Sequence, residues 1–391
     1  MLAACAGDPR TSNSAYQPQG QVISVATFNV SLDGPSFGGE NSSDALKAQL
    51  ASGGNLRIRN IARIIQLVRP DVLLLNEFDH ISDLEAGLGA FSKNYLKVSQ
   101  QGTQPIDYRY LYTEQVNSGL VTDLDLDKNG VAGQLPGDAQ GFGHYPGQYG
   151  MAILSRFPIE LDKVRTFQRF LWRDMPEALR PGAGYGSDDN EGWYTDAEWS
   201  RLRLSSKSHW DVPIKVNNHR IHILASHPTP PVFDGAEDRN GKRNHDEIRF
   251  WRDYLQPETS RYIYDDTGKR GGLPAGSSFV IAGDLNASIV DGEARIEGIA
   301  GLLGHSLVNN FFKPVSRGGA ENKPWLPHAN THTATWGIRS DYVLPSHHGL
   351  QVLSSGVFWP AMNEPDHDLV TSRHASSDHR LVWIRLLLKQ P

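Results

Sequence analysis

Two side chains with chemistry to offer, Asp284 and Asn286, stand two residues apart directly after the apolar run Phe279-Val280-Ile281-Ala282 and Gly283. Such a run reads as a short buried β-strand, so an acid and an amide are delivered together at a strand end. The arrangement recurs along the chain. Asn29 follows Val22–Phe28, Glu77 follows Asp71–Leu75, and His227 follows Arg220–Ser226. Asp341 lies inside Ser340–Leu344, and Asp378 and His379 precede Leu381–Leu386. Each residue alone also fits a structural role: Asn29 in a turn, Glu77 as a solvated charge, His227 in a loop, Asp284 as a helix N-cap. Eight of them at strand ends point to a functional site.

The chemistry they suit is phosphoester hydrolysis. Oxygen ligands without thiolates favour Mg²⁺, Mn²⁺ or Ca²⁺. Such an ion polarises a phosphoryl oxygen. Histidines with a carboxylate activate water and assist the leaving group, and amides hold the transferring group.

The elements that position these residues are legible too. The spacing of Ile58, Ile61, Ala62, Ile65 and Val68 predicts a helix over 56–69, stopped by Pro70. Tyr149–Ser155 reads as a further buried strand. Between the strands lie long insertions, about 100–147, 167–210, 228–275 and 355–376, rich in Gly, Pro, Asp and Tyr. Loops of that length carry function or order themselves against a site. No internal repeat or composition shift divides the chain, so we expect a tether over 1–21 and one domain over 22–391.

Taken in order, FNV at 28–30, NE at 76–77, YGMAILSRFPI at 149–159, SH at 226–227, GDLNA at 283–287, SDYVL at 340–344 and SSDHRLV at 376–382 resemble the endonuclease/exonuclease/phosphatase superfamily. The resemblance spans about Val22 to Leu388. It implies an α+β fold, a four-layer αββα sandwich with the site at one end. By motif, Glu77 resembles the central metal ligand, with Asn29 beside it, and Asp378 supports the metal or, with His379, the water. Asp284 resembles the acid near the nucleophile. Asn286 resembles the amide that binds the phosphoryl oxygen; both it and Asp284 can also touch metal. His379 resembles the histidine on the scissile phosphate and His227 the second, phosphate-facing one. Asp341 resembles the acid that orients His227 or protonates the leaving group.

Other segments add expectations. Glu237–Trp251 packs cations just after His227; its start reads as a loop and Asp246–Tyr254 as a helix. Arg243 and His245 would then form a phosphate clamp at a helix N-terminus, or belong to a solvated loop. Asp123, Asp125 and Asp127, followed by Asn129 and Gly130, read either as the opening of a Ca²⁺ loop without its closing Glu or as an acidic solvated loop. The aromatics of the 171–210 insertion, Trp172, Tyr185, Trp193, Tyr194, Trp199 and Trp210, are expected to pack that loop onto the body. His328, His332, His347, His348, His367 and His374 read as surface or loop residues.

Composition bounds the function. The chain has 391 residues, 39% hydrophobic and 21% charged, with net charge −6 and no Lys/Arg run. That argues against avid duplex binding and favours a compact phosphorylated substrate, with a nuclease acting on DNA or RNA as the alternative and a catalytically dead binding protein behind it. The lone cysteine, Cys5, lies in Leu2-Ala3-Ala4-Cys5, which resembles a lipoprotein lipobox, although only Met1 precedes it. A lipid anchor, an exported location and a monomer are the corresponding expectations.

Overall fold

The computed structural model describes residues 20–182 and 192–389. Eleven strands form two mixed sheets. The first is built from β1 (Val22–Leu32), β2 (Val72–Phe78), β3 (Tyr110–Tyr112), β4 (Met151–Ser155), β10 (Leu350–Val357) and β11 (Val382–Leu388), in the order β10-β11-β1-β2-β4-β3. The second is built from β5 (Arg165–Thr166), β6 (His209–Val216), β7 (His219–Ser226), β8 (Ser278–Asp284) and β9 (Asp341–Pro345), in that order. Ala26, Phe28 and Leu74 of the first sheet share one core with Val212, Ile223 and Val280 of the second. Helices α1 (Asp44–Ser52) and α2 (Leu56–Val68) add Leu46, Leu50, Ile58 and Ile61 to it. Alternation then sends Leu224, Phe279 and Ile281 to the other face of the second sheet. There they meet Ile248 and Trp251 of α4 (Arg239–Tyr254) and Ile299 of α5 (Ile296–Leu303), with Trp199 of the short α3 (Asp196–Trp199) packed alongside. The expected α+β sandwich is therefore present. Among the described residues no helix is long and apolar enough to cross a membrane.

Topology alone gathers the chemistry at one end. β1 runs parallel to β2, and β7 parallel to β8, so Asn29 and Glu77 leave one sheet where Ser226 and Asp284 leave the other. β9 runs antiparallel to β8, which sets Asp341, its first residue, opposite Asp284, the last residue of β8. β11 runs antiparallel to β1, so Asp378 and His379, just before it, return to the same end.

Several boundaries differ from the sequence expectation. The helix expected over 56–69 ends at Val68; the Asn55 side chain accepts from Ile58 N–H, and Arg69 turns left-handed at φ 54° before Pro70. β1 continues four residues past Phe28, through a bulge between Asn29 and Leu32. The 167–210 insertion ends in a strand, β6, hidden in the sequence by Pro213. The Pro213 carbonyl accepts from Glu160 N–H, so the missing Pro N–H also faces that outer side, where the two-residue β5 has already ended. The segment expected as a loop before Asp246 is helical from Arg239.

Candidate active site

Asn29 holds the two halves together. Its fully buried amide Nδ2 lies 3.0 Å from Glu77 Oε1 and 3.0 Å from Asp284 Oδ2. Both histidines face the same oxygen: His227 Nε2 is 3.5 Å and His379 Nε2 3.6 Å from Asp284 Oδ2. His379 Nδ1 lies 2.9 Å from Asp341 Oδ2, which also accepts from Thr333 Oγ1 and Ser340 Oγ. Asn286 N–H donates to Asp284 Oδ1, and Asn286 Nδ2 donates to Pro228 O. The backbone is bent to achieve this. Glu77 and Asn286 hold φ of 53° and 51°, left-handed values that residues other than Gly adopt uncommonly. Gly283 is required for another reason: at φ 149° a Cβ there would lie 2.0 Å from Ser226 O, so only glycine lets β8 approach the end of β7.

Burial and neighbouring charge divide the protonation states. Burial first, and then the Asp341 charge, raise the pKa of Asp284. Burial works against a charged His379, but the Asp341 and Asp284 carboxylates outweigh it and raise its pKa. His227 goes the other way: burial, then the positive charges of Lys207 and His379, push it well below the ordinary imidazole value. Burial and charge thus push the two imidazoles in opposite directions around one carboxyl group.

Glu77, Asp284, Asn286, Asp378 and His379 open into a cleft of about 590 Å³. Its walls are largely apolar, with Pro230, Pro231, Val232, Phe233, Trp336 and Ile338. A cleft of similar volume, about 530 Å³, lies away from this chemistry and is lined by His219, His347 and Lys389 among others, with no carboxylate.

Three contributors had no clear signal in the sequence. Asn76 accepts from Asp284 N–H and Thr27 Oγ1 and donates to Ser226 O, a second strut between the sheets. Arg373 lines the cleft, 3.7 Å from Asp378 Oδ2, with another guanidinium nitrogen on Ser31 Oγ. The Trp336 ring stands edge-on to His379 at 4.9 Å. Asn76 stands in the NE pair at 76–77, where nothing marks it as a strut between sheets; Arg373 and Trp336 sit in loops without a motif.

The structure corrects other expectations. Asp341 serves His379 rather than His227. Arg243 forms no clamp: its guanidinium donates to the carbonyls of Leu204, Arg203 and Gln140, which it binds together. His245 lies within α4, paired with Asp246 and packed against Gly298 of α5, because the helix begins before it. In the acidic loop Asp123 pairs with Arg201, while Asp125 and Asp127 are joined by Asp138. Asp138 came from outside the expected pattern and sits where a distant turn returns. Trp172, Trp210 and Tyr194 are buried, and Trp193 and Trp199 pack against the outer core, as expected of loop anchors. Tyr185 and Cys5 lie outside the described residues. His332 lies in a loop, as expected, but is fully buried there, 3.5 Å from Asp291.

The donor set fits a hard dication. Five carboxylates, Glu77, Asp284, Asp291, Glu293 and Asp378, line the cleft, and the described residues contain no cysteine. Ligand atoms of Asp284, Asp341 and His379 also lie within 4.8 Å of one another, and Asp341 Oδ1 is buried without a partner. His379 Nδ1, however, is already engaged by Asp341, which makes that pair better suited to handling a proton and leaves the cleft-facing Glu77 as the better ligand.

Comparison with curated proteins gave no match. Among solved structures, an endonuclease/exonuclease/phosphatase from Beutenbergia cavernae is 17% identical, covering 94% of this chain and 72% of that one at a TM-score of 0.51. A Staphylococcus aureus beta toxin mutant with bound magnesium ions is 13% identical (94% and 100% covered, TM-score 0.45). The human Nocturnin catalytic domain is 15% identical (94% and 95%, TM-score 0.43). The family model described as the Endonuclease/Exonuclease/phosphatase family matches residues 26–379, a span that holds every residue of the cluster from Asn29 to His379. With that match over nearly its whole length, the chain belongs to the endonuclease/exonuclease/phosphatase family.

Proposed function

We propose that this protein is a divalent-metal-dependent hydrolase of small organic phosphomono- or diesters, acting by attack of an activated water on phosphorus. Members of the family are generally hydrolases of phosphoester bonds and use divalent metals. The observation that carries the reading is the convergence on Asp284 Oδ2 of the Asn29 amide and both histidine Nε2 atoms, beside Glu77. A dication held by Glu77 and its oxygen neighbours would polarise a phosphoryl oxygen and lower the pKa of bound water. Asp284 is placed to take the proton of the attacking water. His379, kept protonated by Asp341, is placed to donate a hydrogen bond to a developing phosphoryl charge. His227, kept neutral, and the Asn286 amide complete the cradle.

The cleft speaks for a compact substrate. Among the described residues, Glu77, Asp284, Asp291, Glu293 and Asp378 line it against Arg373, a poor surface for a polyanionic duplex. Export and a lipid anchor at Cys5 belong to the same proposal, and radiolabelled fatty-acid incorporation with cell fractionation tests them. The function itself is tested with bis-nitrophenyl phosphate, nitrophenyl phosphate and plasmid DNA, each with Mg²⁺, Mn²⁺, Ca²⁺ or EDTA. Metal-dependent release from the nitrophenyl esters is expected. Plasmid cleavage without ester turnover would replace the small substrate by nucleic acid, and no turnover with any metal would remove the enzymatic reading.

A further inference from the structure

A phenylalanine left in water is common on a protein surface and by itself means nothing. Phe233 is set apart by its backbone and its place. It is 87% exposed, and it lines the cleft that holds Glu77, Asp284 and His379. Its φ of 66° is left-handed, an outlier for a bulky side chain. The loop that presents it is clamped by one face of α4. Glu247 accepts from Thr229 N–H, and the side-chain amides of Asn244 and Asn240 donate to Thr229 O and Val232 O. Asn240 N–H, in the first turn of that helix, donates to Asp234 Oδ2. Pro230 and Pro231 stiffen the stretch between. The start of the loop is joined to the catalytic cluster, where Asn286 Nδ2 donates to Pro228 O.

A second aromatic side chain lines the same space from a different segment. Trp336 is 42% exposed and stands edge-on to His379 at 4.9 Å. Its loop is tied to the site as well, since Thr335 N–H donates to Asp378 O. Val232 and Ile338 extend the apolar lining. Apolar surface held rigid beside reacting groups is complementary to an apolar part of the molecule that reacts there, because contact removes both from water. Pro230, Pro231, Val232, Phe233 and Ile338 carry no hydrogen-bonding side-chain group, so this part of the lining offers nothing to a polyol. The carboxylates of Asp291 and Glu293 on the same lining disfavour a group that carries a second phosphate.

We propose that Phe233 and Trp336 are specificity-determining residues that seat the organic part of the substrate, and that this part is an aromatic or bulky apolar group rather than a sugar or a nucleoside polyphosphate. The inference rests on the phosphoesterase reading above and names its substrate class. With the phosphoryl group at the Asp284 cluster and the apolar group against the two rings, contact with the rings holds phosphorus in place for attack. The clamped loop adds to this, because a ring fixed before binding needs no ordering on contact.

The test uses the full chain and the variants F233A, F233L and W336A. Phosphonates are read first, because their carbon–phosphorus bond is not an ester and they report binding alone. Phenylphosphonate is compared with methylphosphonate by calorimetry, with Mn²⁺ present. The parent is expected to bind the phenyl compound at least roughly tenfold more tightly. F233A and W336A should each cut that ratio by about three- to tenfold, and F233L should recover part of the loss. In F233A the Michaelis constant for nitrophenyl phosphate should rise by more than kcat falls. Its melting temperature should stay near that of the parent, because the ring is already in water. Equal affinities for the two phosphonates in the parent, no measurable binding of phenylphosphonate, or a ratio within about twofold of the parent's in either alanine variant would overturn the proposal. So would a ratio that holds while F233A loses binding to phosphatidylcholine vesicles, since the ring would then serve a lipid surface. If the parent prefers phenylphosphonate but hydrolyses no ester, the apolar seat stands while the phosphoesterase reading falls.

Discussion

His379 is held between two carboxyl groups, with Nδ1 2.9 Å from Asp341 Oδ2 and Nε2 3.6 Å from Asp284 Oδ2. The first contact fixes the ring and its proton; the second aims the other nitrogen at the reacting side. Asp341→Asn keeps the shape and removes the charge. The pKa of His379 should fall, because the carboxylate that most strongly favours its charged form is gone. Turnover should drop by about 10²–10⁴-fold. Imidazole NMR titration and steady-state kinetics read both, and an unmoved His379 pKa would detach Asp341 from this role.

Glu77→Gln should remove metal-dependent turnover and weaken Mn²⁺ binding while leaving the melting curve nearly intact, since Glu77 is partly exposed and its left-handed backbone is kept. Calorimetry with Mn²⁺ and circular dichroism check this. Full activity in the variant would exclude Glu77 as the ligand.

Arg243→Ala should act on stability rather than on substrate affinity. The guanidinium binds three carbonyls of the 140–204 region, and removing it leaves partly buried acceptors unpaired. A loss of about 1–3 kcal/mol is expected in urea unfolding, with an unchanged Michaelis constant. A raised Michaelis constant at full stability would restore the phosphate clamp.

Acid should destabilise the fold before it reaches the carboxylates. Burial lowers His209 to about 4, and its ring is engaged by Ser205 Oγ and Glu247 O. Between that value and the ordinary 6.5 the unfolded chain binds the proton that the folded chain refuses. Stability is therefore complete above about pH 6.5 and falls as the pH drops toward 4, by up to roughly 3 kcal/mol from this residue. His209→Gln should flatten the stability curve in that window while lowering it at neutral pH. An identical slope in parent and variant would remove His209 as the cause.

Strong local patterns survived folding, and contingent ones did not. β2 and α2 were legible because an unbroken apolar run and a 3.6-residue period each allow few alternatives. Asp284, Asn286 and His379 were legible because their motifs bind type to position. β6 was not, since Pro213 is tolerable only on account of how far β5 extends, which no local window contains. Arg243 looked like a ligand because a cation near a site is read by proximity in the chain, whereas its fate was set by carbonyls 39 to 103 residues away. Asp138 was missed for the same reason: it gains its meaning only when another segment arrives beside it.

The strut made by Asn29 and Asn76 has a consequence for how activity arises. Each amide belongs to one layer and grips the other. Neither sheet alone carries the whole cluster, so the geometry around Asp284 exists only when the two layers are docked. For the proposed activity this means that a substitution deep between the layers, by shifting one against the other, would pull Asn29 and Asn76 off Asp284 and lower turnover without touching the cleft.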